Sequence, residues 1–553
     1  MRNSLPDVAK KILILLVFVG IFLRSYHLSW GSPYFFHPDE RNIASAVSGL
    51  SYPQQLNPHF YAYGTLPIYS IYFFGVTSNV IRNFLHHSSS QPTIVPFEDA
   101  VIISRIFSLF LSILMLQLIY TVGKKVGGQK LATIGLLLSL FSVGLIQYTH
   151  FGTFEIWLTF FTLLLLYALI RYLETFSNAY IIFGSIILGF LLSIKISSLA
   201  YLPLCLSIII FYDVERIRKK KKKTFLLIEK LVMKLVFIFS IPFITLFFTS
   251  PYYWFDNTGF LNSMNYESGV ALGKYIVFYT QSFIQSIPGL FQLLRIFPFL
   301  LNPFVALLAV IVTPFVIKDT WKTKNQKMVL IILFLLLSFF SQAFLFVKWT
   351  RYYIPTLPFI YLFLAKGIEL FAKFKKKRYS IYLTVALVFI SLFYSLAYFK
   401  VVLVDTDTRL EAVSWARNNI RSDAKILTEP FDLGITPFNP HFSAIKIFDF
   451  YQLDDIKEKE KELEKELKLS RYIILPSQRI VQSRLMTPQL FPKSSQFYKR
   501  LFENKGSFTK IYETPCDVLC TILYSGSPVY SYEQTVNIFD RPTVYIFKKK
   551  GDN

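Results

Sequence analysis

The chain has 553 residues, of which 53% are hydrophobic and 18% aromatic, and its formal net charge is +24. Many soluble proteins are also about half apolar, so the bulk fraction excludes little. The arrangement is more informative, because charge-bounded apolar runs long enough to cross a bilayer recur as far as residue 400. The basic residues lie between these runs, which is typical of cytoplasmic loops and argues against a nucleic-acid-binding surface.

About eleven membrane-spanning helices are predicted. In chain order they cover residues 12–28, 101–122, 131–149, 156–172, 179–195, 198–212, 225–249, 297–317, 328–347, 353–372 and 380–400. The first lacks a small-residue cleavage site and is read as a retained anchor. A cytoplasmic N-terminus places the basic clusters at 10–11, 124–130, 216–223, 318–327 and 373–378 on the cytoplasmic side, where they also suit anionic lipid. The short pair of spans around Lys195 is alternatively re-entrant.

This orientation gives two long outer loops, residues 30–97 and 250–296, and the first contains a predicted interfacial helix over 65–76. From residue 405 the pattern changes to a small α/β domain. It predicts helices over 408–420 and 457–468 and strands within 424–428, 444–450, 471–477 and 543–550. We therefore predict a transmembrane domain, 1–404, and an extracytoplasmic domain, 405–553. A local disulfide between Cys516 and Cys520 is one alternative for their state, and no metal-ligand spacing emerges from the cysteines.

Two adjacent acids, Asp39 and Glu40, follow the first span in the stretch Y-F-F-H-P-D-E-R. Pro38 fixes the backbone at this turn and biases His37 towards an extended conformation. A carboxylate at the rim of an apolar cavity is a typical functional group in membrane proteins. The alternative is a pair of solvated interfacial charges, but the other outer membrane loops are poor in acids, which favours the functional interpretation.

The second outer turn, Q-Y-T-H-F-G-T-F-E, is short and carries His150 and Glu155. Carboxylates from separate loops, such as Asp39 and Glu155, can share a divalent cation, or one can accept a proton from a hydroxyl group while the other positions it. His150 by itself is also explained as a hydrogen-bonded interfacial histidine.

Cations at the outer ends of spans are few. Arg105, Lys195, Lys348 and Arg351 are the main ones. A cation at membrane depth is costly unless it meets an anion, and arginine binds phosphate through two parallel hydrogen bonds. The alternative is that these side chains extend to lipid headgroups.

The segments F-F-H-P-D-E-R-N-I-A and N-P-H-F-Y-A-Y-G-T-L-P-I-Y resemble the first-loop signature of polyprenol-phosphate-sugar-dependent glycosyltransferases of the GT-C fold. Within that group, the chain is most similar to bacterial members of the protein mannosyltransferase (family 39) and aminoarabinose transferase group. The resemblance continues in order over roughly the first 400 residues, through I-S-R-I-F-S, Q-Y-T-H-F-G-T-F-E-I-W, K-I-S-S-L-A-Y-L-P, S-P-Y-Y-W-F-D and R-Y-Y-I-P-T-L-P.

The resemblance implies a lipid-linked sugar donor, an extracytoplasmic acceptor and an inverting single displacement in a site that faces outwards. It places the base at Asp39, with Glu40 beside it. A phosphate-binding clamp is expected from Arg351, the adjacent Tyr352 and Lys195, and a third carboxylate from Glu267. Relatives often carry Asp where this chain has Glu155, so a divalent cation between Asp39 and Glu155 stays an open alternative to metal-free catalysis.

Two other functions remain open at this stage. An oligosaccharide ligase or polymerase with a polyprenyl-diphosphate donor predicts more cations in the outer cavity. A transporter or flippase of lipid-linked sugars predicts internal repeats and charged pairs deep inside the spans. The sequence shows no repeat, and we expect span interiors that are nearly uncharged.

Overall fold

The computed structural model describes residues 7–86, 91–219, 224–374 and 377–551, so parts of the predicted basic clusters at 216–223 and 373–378 lie outside the described residues. Helices dominate the described chain. They are α1 (Asp7–Ser25), α2 (Pro38–Ser48), α3 (Thr65–His86), α4 (Phe97–Leu140), α5 (Val143–His150), α6 (Glu155–Thr175), α7 (Asn178–Ile194), α8 (Tyr201–Lys219), α9 (Thr224–Thr249), α10 (Tyr252–Phe255), α11 (Asn257–Ala271), α12 (Leu290–Arg295), α13 (Phe297–Leu300), α14 (Pro303–Thr323), α15 (Gln326–Ala343), α16 (Leu357–Phe374), α17 (Lys377–Tyr398), α18 (Thr408–Asn419), α19 (Lys457–Leu469), α20 (Arg479–Met486), α21 (Pro492–Phe502) and α22 (Val518–Leu523). The strands are β1 (Ile426–Thr428), β2 (Ile445–Ile447), β3 (Tyr472–Leu475), β4 (Phe508–Glu513) and β5 (Tyr545–Lys549).

Eight helical elements of the described chain are long and apolar enough to cross a membrane. They are Phe97–Leu140, Glu155–Thr175, Ile196–Lys219, Phe225–Thr249, Pro303–Thr323, Gln326–Ala343, Thr350–Ala372 and Arg378–Val404. The chain is thus a multi-pass membrane protein. Two further predicted spans fall on α1, which contains four charged residues, and on α7, which has only 17 residues.

Helix α4 has 44 residues and contains a reversal at Gly128, whose φ of 84° favours glycine. Close packing on either side of Gly128 shows that the two limbs lie against each other. A Cβ placed on Gly123 would lie 2.8 Å from the Cα of Ala132. In a straight helix these two residues would be about 13 Å apart. The predicted spans 101–122 and 131–149 are therefore the two limbs of a helical hairpin, and α5 continues the second.

A buried charged pair joins two of the spans. The Lys234 ammonium in α9 is 2.7 Å from the Asp213 carboxylate in α8, and the side chains are only 2% and 6% exposed. The Lys234 ammonium also donates to the Tyr172 hydroxyl in α6. The prediction of nearly uncharged span interiors is therefore wrong at this point, because two charges that are distant in sequence neutralise each other across the α8–α9 contact.

The chain divides into two compact units. The membrane unit comprises Met1–Leu28, Asp39–Tyr275 and Leu300–Ser395, and the C-terminal unit comprises Ser29–Pro38, Ile276–Phe299 and Leu396–Asn553. The C-terminal unit therefore includes two segments from the predicted outer loops as well as the chain from Leu396 onwards.

The C-terminal unit contains a five-stranded sheet of order β2-β1-β3-β5-β4, in which β2, β1 and β3 are parallel and β5 is antiparallel to both its neighbours. All four residues of β3 are buried. Because side chains alternate along a strand, Ile473 joins one apolar core and Ile474 the other, so both faces of the sheet are covered. Sequence analysis missed β4, an edge strand in which half of the residues are exposed and several are polar. Cys516 and Cys520 form a disulfide in this unit.

Candidate active site

The first turn of α2 carries both acids of the predicted catalytic pair. Pro38 is the first residue of the helix, a position where its missing N–H donor costs no hydrogen bond. Asp39 and Glu40 follow, and carboxylates are favoured at this end of a helix by its dipole. Successive residues on a helix point about 100° apart, so the two carboxylates face different surroundings.

Glu40 is sealed inside the membrane unit. Its carboxylate accepts two hydrogen bonds from the Arg105 guanidinium, at 2.9 and 2.7 Å, and the two side chains are 1% and 0% exposed. The backbone N–H of Gly152 also donates to Glu40, and Arg105 donates to the carbonyl of Leu28. This arrangement ties α2 to α4 and to the second outer turn, and it buries both charges of the pair.

Asp39 instead pairs with Arg351, which lies 312 positions later in a short 3₁₀ helix, Thr350–Thr356. Their side chains remain 18% and 22% exposed. The Tyr63 hydroxyl donates to the same carboxylate at 3.3 Å. The structure thus brings together an acid of the first outer loop and a cation of the last predicted outer rim.

A pocket opens beside this pair. Its lining includes Tyr63, Phe154, Glu155, Leu158, Ile194, Lys195, Ser197, Ser198, Ala200, Tyr201, Ser338, Ser341, Gln342, Arg351, Tyr352 and Pro355. Glu155 begins α6 and is 5% exposed, and its Oε2 atom has no hydrogen-bond partner among the described residues. An unpartnered buried carboxylate oxygen is costly, so a ligand that donates to it would be bound favourably.

The Lys195 ammonium lies 4.3 Å above the ring of Tyr352 and makes no ion pair with any described residue. Its backbone ends α7 and precedes the 3₁₀ helix Ile196–Ala200, which explains why the side chain projects from a break between two apolar helices. The Arg351 guanidinium lies 4.5 Å above the ring of Trp349. Aromatic faces therefore support both cations, of which Arg351 is also paired with Asp39.

Glu267 in α11 belongs to the same electrostatic environment. Partial burial raises the pKa of its carboxyl group, while the positive charges of Arg351 and Lys195 act in the opposite direction and Asp39 raises it further. The second outer loop thus places an additional carboxyl group near the pocket.

His150 lies elsewhere. It is 1% exposed, and its two ring nitrogens are each 2.9 Å from a backbone carbonyl, those of Ile146 and Tyr26. These contacts connect α5 to the end of α1. These are the contacts expected of a hydrogen-bonded interfacial histidine.

The described residues contain no group of three side chains with the ligands and spacing to hold a metal ion. Asp39 already contacts a guanidinium, so a cation shared with Glu155 would have to displace Arg351 from it. The residues present therefore fit a cationic side chain at this place better than a divalent metal ion.

Sequence analysis overlooked Tyr63 and one wall of the pocket, formed by Ser338, Ser341 and Gln342 of α15. A signal existed for both. Tyr63 lies within the first-loop segment that carries the family resemblance, and the three α15 residues have the i, i+3, i+4 spacing of one helix face in an otherwise apolar span.

Several solved structures are similar to this chain. The Archaeoglobus fulgidus oligosaccharyltransferase in complex with Zn and sulfate matches with a TM-score of 0.50 and 11% identity, over 97% of this chain and 88% of that chain. ArnT from Cupriavidus metallidurans bound to undecaprenyl phosphate gives 0.43 and 10%, over 87% and 94%. The S. cerevisiae protein O-mannosyltransferase Pmt1-Pmt2 complex bound to its sugar donor gives 0.34 and 17%, over 47% and 35%.

No protein-family model matches the sequence, and the curated proteins contain no significant match to it. The fold is nevertheless defined by the helical membrane unit and the small C-terminal sheet, and by the similarity of the chain to a solved structure. The chain has the fold of the GT-C membrane glycosyltransferases.

Proposed function

We propose that this protein is an integral membrane glycosyltransferase that transfers a sugar from a polyprenyl-phosphate donor to an extracytoplasmic hydroxyl acceptor on a protein, lipid or glycan. The observation that carries the proposal is that Arg351, which pairs with Asp39, lines a pocket together with Lys195 and Glu155. The fold shared with an oligosaccharyltransferase supports glycosyl transfer.

The donor phosphate binds at the cations. Lys195 offers an ammonium group without an ion pair among the described residues, and Arg351 offers the planar guanidinium that matches phosphate geometry. The leaving phosphate gains negative charge as its bond to the sugar breaks, so fixed positive charge at this place stabilises the transition state more than the ground state.

Asp39 acts as the base. The acceptor hydroxyl attacks the anomeric carbon, its proton passes to the Asp39 carboxylate, the new glycosidic bond forms, and the bond between the anomeric carbon and the phosphate oxygen breaks with inversion. Polyprenyl phosphate leaves with the electron pair of that bond. Tyr63, which donates to Asp39, orients the carboxylate.

The ion pair between Asp39 and Arg351 couples the two substrates. A carboxylate held by a guanidinium is a weak proton acceptor, because the positive charge favours its ionised form. A donor phosphate competes for the same guanidinium, and its binding frees Asp39 to accept a proton.

The orientation proposed from the basic clusters puts the N-terminus in the cytoplasm and the pocket at the outer surface. The disulfide between Cys516 and Cys520 supports an extracytoplasmic C-terminal unit, since disulfides persist mainly in oxidising compartments.

The test is to incubate the purified protein with polyprenyl phosphates that carry different sugars and to follow loss of sugar from the donor by mass spectrometry. We expect one donor to lose its sugar with wild-type protein and to keep it with the Asp39→Asn variant. Asp99→Asn is the matched control, because Asp99 also lies in the first turn of a helix and pairs with an arginine, Arg82. Wild-type turnover by Asp39→Asn, or translocation of an intact donor across vesicles without loss of sugar, would contradict the proposal.

A further inference from the structure

The three parallel strands of the C-terminal sheet end at one edge, and a polar side chain follows each of them. Glu429 comes directly after β1, Tyr451 lies in the short 3₁₀ helix that follows β2, and Arg479 begins α20 after β3. Because the carboxyl ends of neighbouring parallel strands meet at the same edge of a sheet, these residues converge there. We call this place the carboxyl edge.

The topology of the sheet leaves a crevice at the carboxyl edge. Strand β1 lies between β2 and β3. The chain that leaves β1 packs Ile435 and Phe438 into the core on one face of the sheet, whereas the chain that leaves β3 packs Ile480 and Val481 into the core on the other face. Neighbouring parallel strands whose connections leave to opposite faces have a crevice between their carboxyl ends, and ligands of open α/β sheets bind there.

Arg484 in α20 brings a buried charge to this edge. The side chain is 0% exposed, and side chains of a helix tilt towards its N-terminus, which here is the end at the carboxyl edge. The Nη2 atom donates to the carbonyl of Tyr451 at 3.3 Å, but Nε and Nη1 have no hydrogen-bond partner among the described residues. A buried guanidinium without a bound anion is costly, so an anion would be bound favourably.

Other groups at the edge are also free to donate. The Tyr451 hydroxyl and the Nε atom of Arg479 are buried and have no partner among the described residues. Oε1 of Glu429 accepts from Tyr498, whereas Oε2 has no described partner. Burial raises the pKa of the Glu429 carboxyl group from 4.5 to about 8, so a proton on Oε2 is a further donor at neutral pH. The dipole of α20, whose first residue is at the edge, also favours an anion.

The charges at the edge indicate which anion fits. Arg479 and Arg484 are positive, the Glu429 carboxyl group is neutral, and Asp432 is negative. Asp432 is already held, since its carboxylate accepts from the backbone N–H of Gly434 at 2.8 Å and from the Ser477 hydroxyl. The balance is one positive charge, which a carboxylate neutralises. A phosphate dianion would leave a negative charge in buried surroundings.

We propose that the crevice between the carboxyl ends of β1 and β3 is a second ligand site of this protein, which binds the carboxylate of a small organic anion through Arg484, Arg479 and the Tyr451 hydroxyl. Phe431 borders the site, because its carbonyl accepts from Arg479 at 3.1 Å. Its ring is 60% exposed and gives the body of the ligand an apolar contact. The site lies within the C-terminal unit, and binding there requires no sugar transfer.

The experiment uses the purified full-length protein in lipid nanodiscs and three probes that share one ring and differ in the head group: benzoate, benzamide and phenyl phosphate. Affinity is measured by ligand-observed NMR and by the rise in melting temperature. The variants are Arg484→Met and Tyr451→Phe. Arg500→Met is the first control, because Arg500 is exposed on α21. Tyr512→Phe is the second, because the Tyr512 hydroxyl also has no described partner but its side chain packs against the other core.

We expect wild-type protein to bind benzoate more tightly than phenyl phosphate and to bind benzamide at least tenfold more weakly than benzoate. Arg484→Met should lower the affinity for benzoate by about a hundredfold and Tyr451→Phe by about tenfold, as expected for the loss of hydrogen bonds to a charged group. Both controls should bind like the wild type. So should Lys195→Gln, which removes a cation of the transfer pocket.

Stability separates a binding role of Arg484 from a structural one. Arg484→Met without ligand should melt no lower than Arg500→Met, because the substitution removes an uncompensated buried charge. A clear fall would show that the guanidinium is satisfied within the fold and would overturn the inference. Tyr451→Phe decides the question if Arg484→Met does not fold, since it removes a single oxygen atom. Equal binding of benzamide, tighter binding of phenyl phosphate, or binding lost only in Lys195→Gln would also overturn it.

Discussion

Two ion pairs stand side by side at the start of α2, one at the pocket and one behind it. Asp39 and Arg351 remain partly exposed, whereas Glu40 and Arg105 are sealed and fully hydrogen-bonded. An exposed pair can be opened by a substrate, while a sealed pair that loses one member leaves a buried charge without compensation. Adjacent carboxylates thus differ in their partners and burial, and this difference predicts different responses to substitution.

The largest expected effect is on turnover at the exposed pair. Asp39→Asn removes the proton acceptor but keeps the size of the side chain, so turnover should fall by about 10²–10⁴-fold, the typical contribution of a general base. The melting temperature should change little. A variant that loses turnover only in proportion to lost folded protein would assign Asp39 a structural role like that of Glu40.

The sealed pair should respond in the opposite way. Glu40→Gln leaves Arg105 buried without its counter-charge, and we expect a loss of about 3–5 kcal/mol of stability. Turnover per folded molecule should stay close to that of the wild type. Unfolding of the purified protein by denaturant in lipid nanodiscs measures the first quantity, and donor turnover normalised to folded protein measures the second.

A double substitution tests whether the loss of stability in Glu40→Gln comes from the uncompensated charge of Arg105. Glu40→Leu combined with Arg105→Met replaces both charges by apolar groups, and such replacements are often neutral or stabilising. The double variant should therefore be more stable than Glu40→Gln. Equal stability would mean that the contacts of Arg105 with backbone carbonyls matter more than the charge pair.

Loss of the Lys195 cation should have a smaller effect than loss of the base. Lys195→Gln removes one charge-assisted hydrogen bond to the donor phosphate, worth about 1.5–3 kcal/mol, which corresponds to a decrease in kcat/KM of roughly 10–150-fold. Lys274→Gln is the matched control, since Lys274 is exposed in the second outer loop. Equal donor affinity in Lys195→Gln and wild type would place the phosphate elsewhere.

The smallest expected effect is on the pH dependence of stability, and it comes from a buried carboxyl group in the C-terminal unit. Glu429 is 1% exposed, its Oε1 atom accepts from Tyr498, and Oε2 has no partner among the described residues. Burial raises its pKa from 4.5 to about 8. The Glu429 carboxyl group therefore ionises at lower pH in the unfolded chain than in the folded protein. The stability of the folded protein should fall as the pH rises from 4.5 to about 8.

Glu429→Gln should flatten that dependence, because glutamine cannot ionise. Hydrogen exchange of the β1 amides at pH 5, 6.5 and 8 in the full-length protein measures the local stability. An unchanged slope in the variant would show that the Glu429 carboxyl group is ionised in the folded protein at neutral pH.

Sequence patterns predicted most of the apolar helices, since length and hydropathy alone define a span. Charged residues beside apolar runs are conspicuous, and the patterns singled out Glu155, Lys195 and Arg351, which line the pocket, and Asp39, which pairs with Arg351. They could not separate Asp39 from Glu40, since neighbours in sequence share every local signal and differ only in long-range partners. For the same reason, sequence patterns could not predict the ion pair between Lys234 and Asp213. Strand β4 was missed because its sequence lacks the apolar alternation that indicates a strand.

The reversal at Gly128 also matters at a distance. Arg105 and Gly152 lie 23 and 24 positions from Gly128 on either side, so limbs of nearly equal length, about 35 Å each, return the chain to its starting level. There the amide of Gly152 meets Glu40, and its carbonyl accepts from Ser104. The position of Gly128, the left-handed residue at the turn of the hairpin, therefore determines that Arg105 and Gly152 lie at the same level in the two limbs. A residue inserted or deleted in one limb would rotate and shift Arg105 or Gly152 relative to Glu40 in α2.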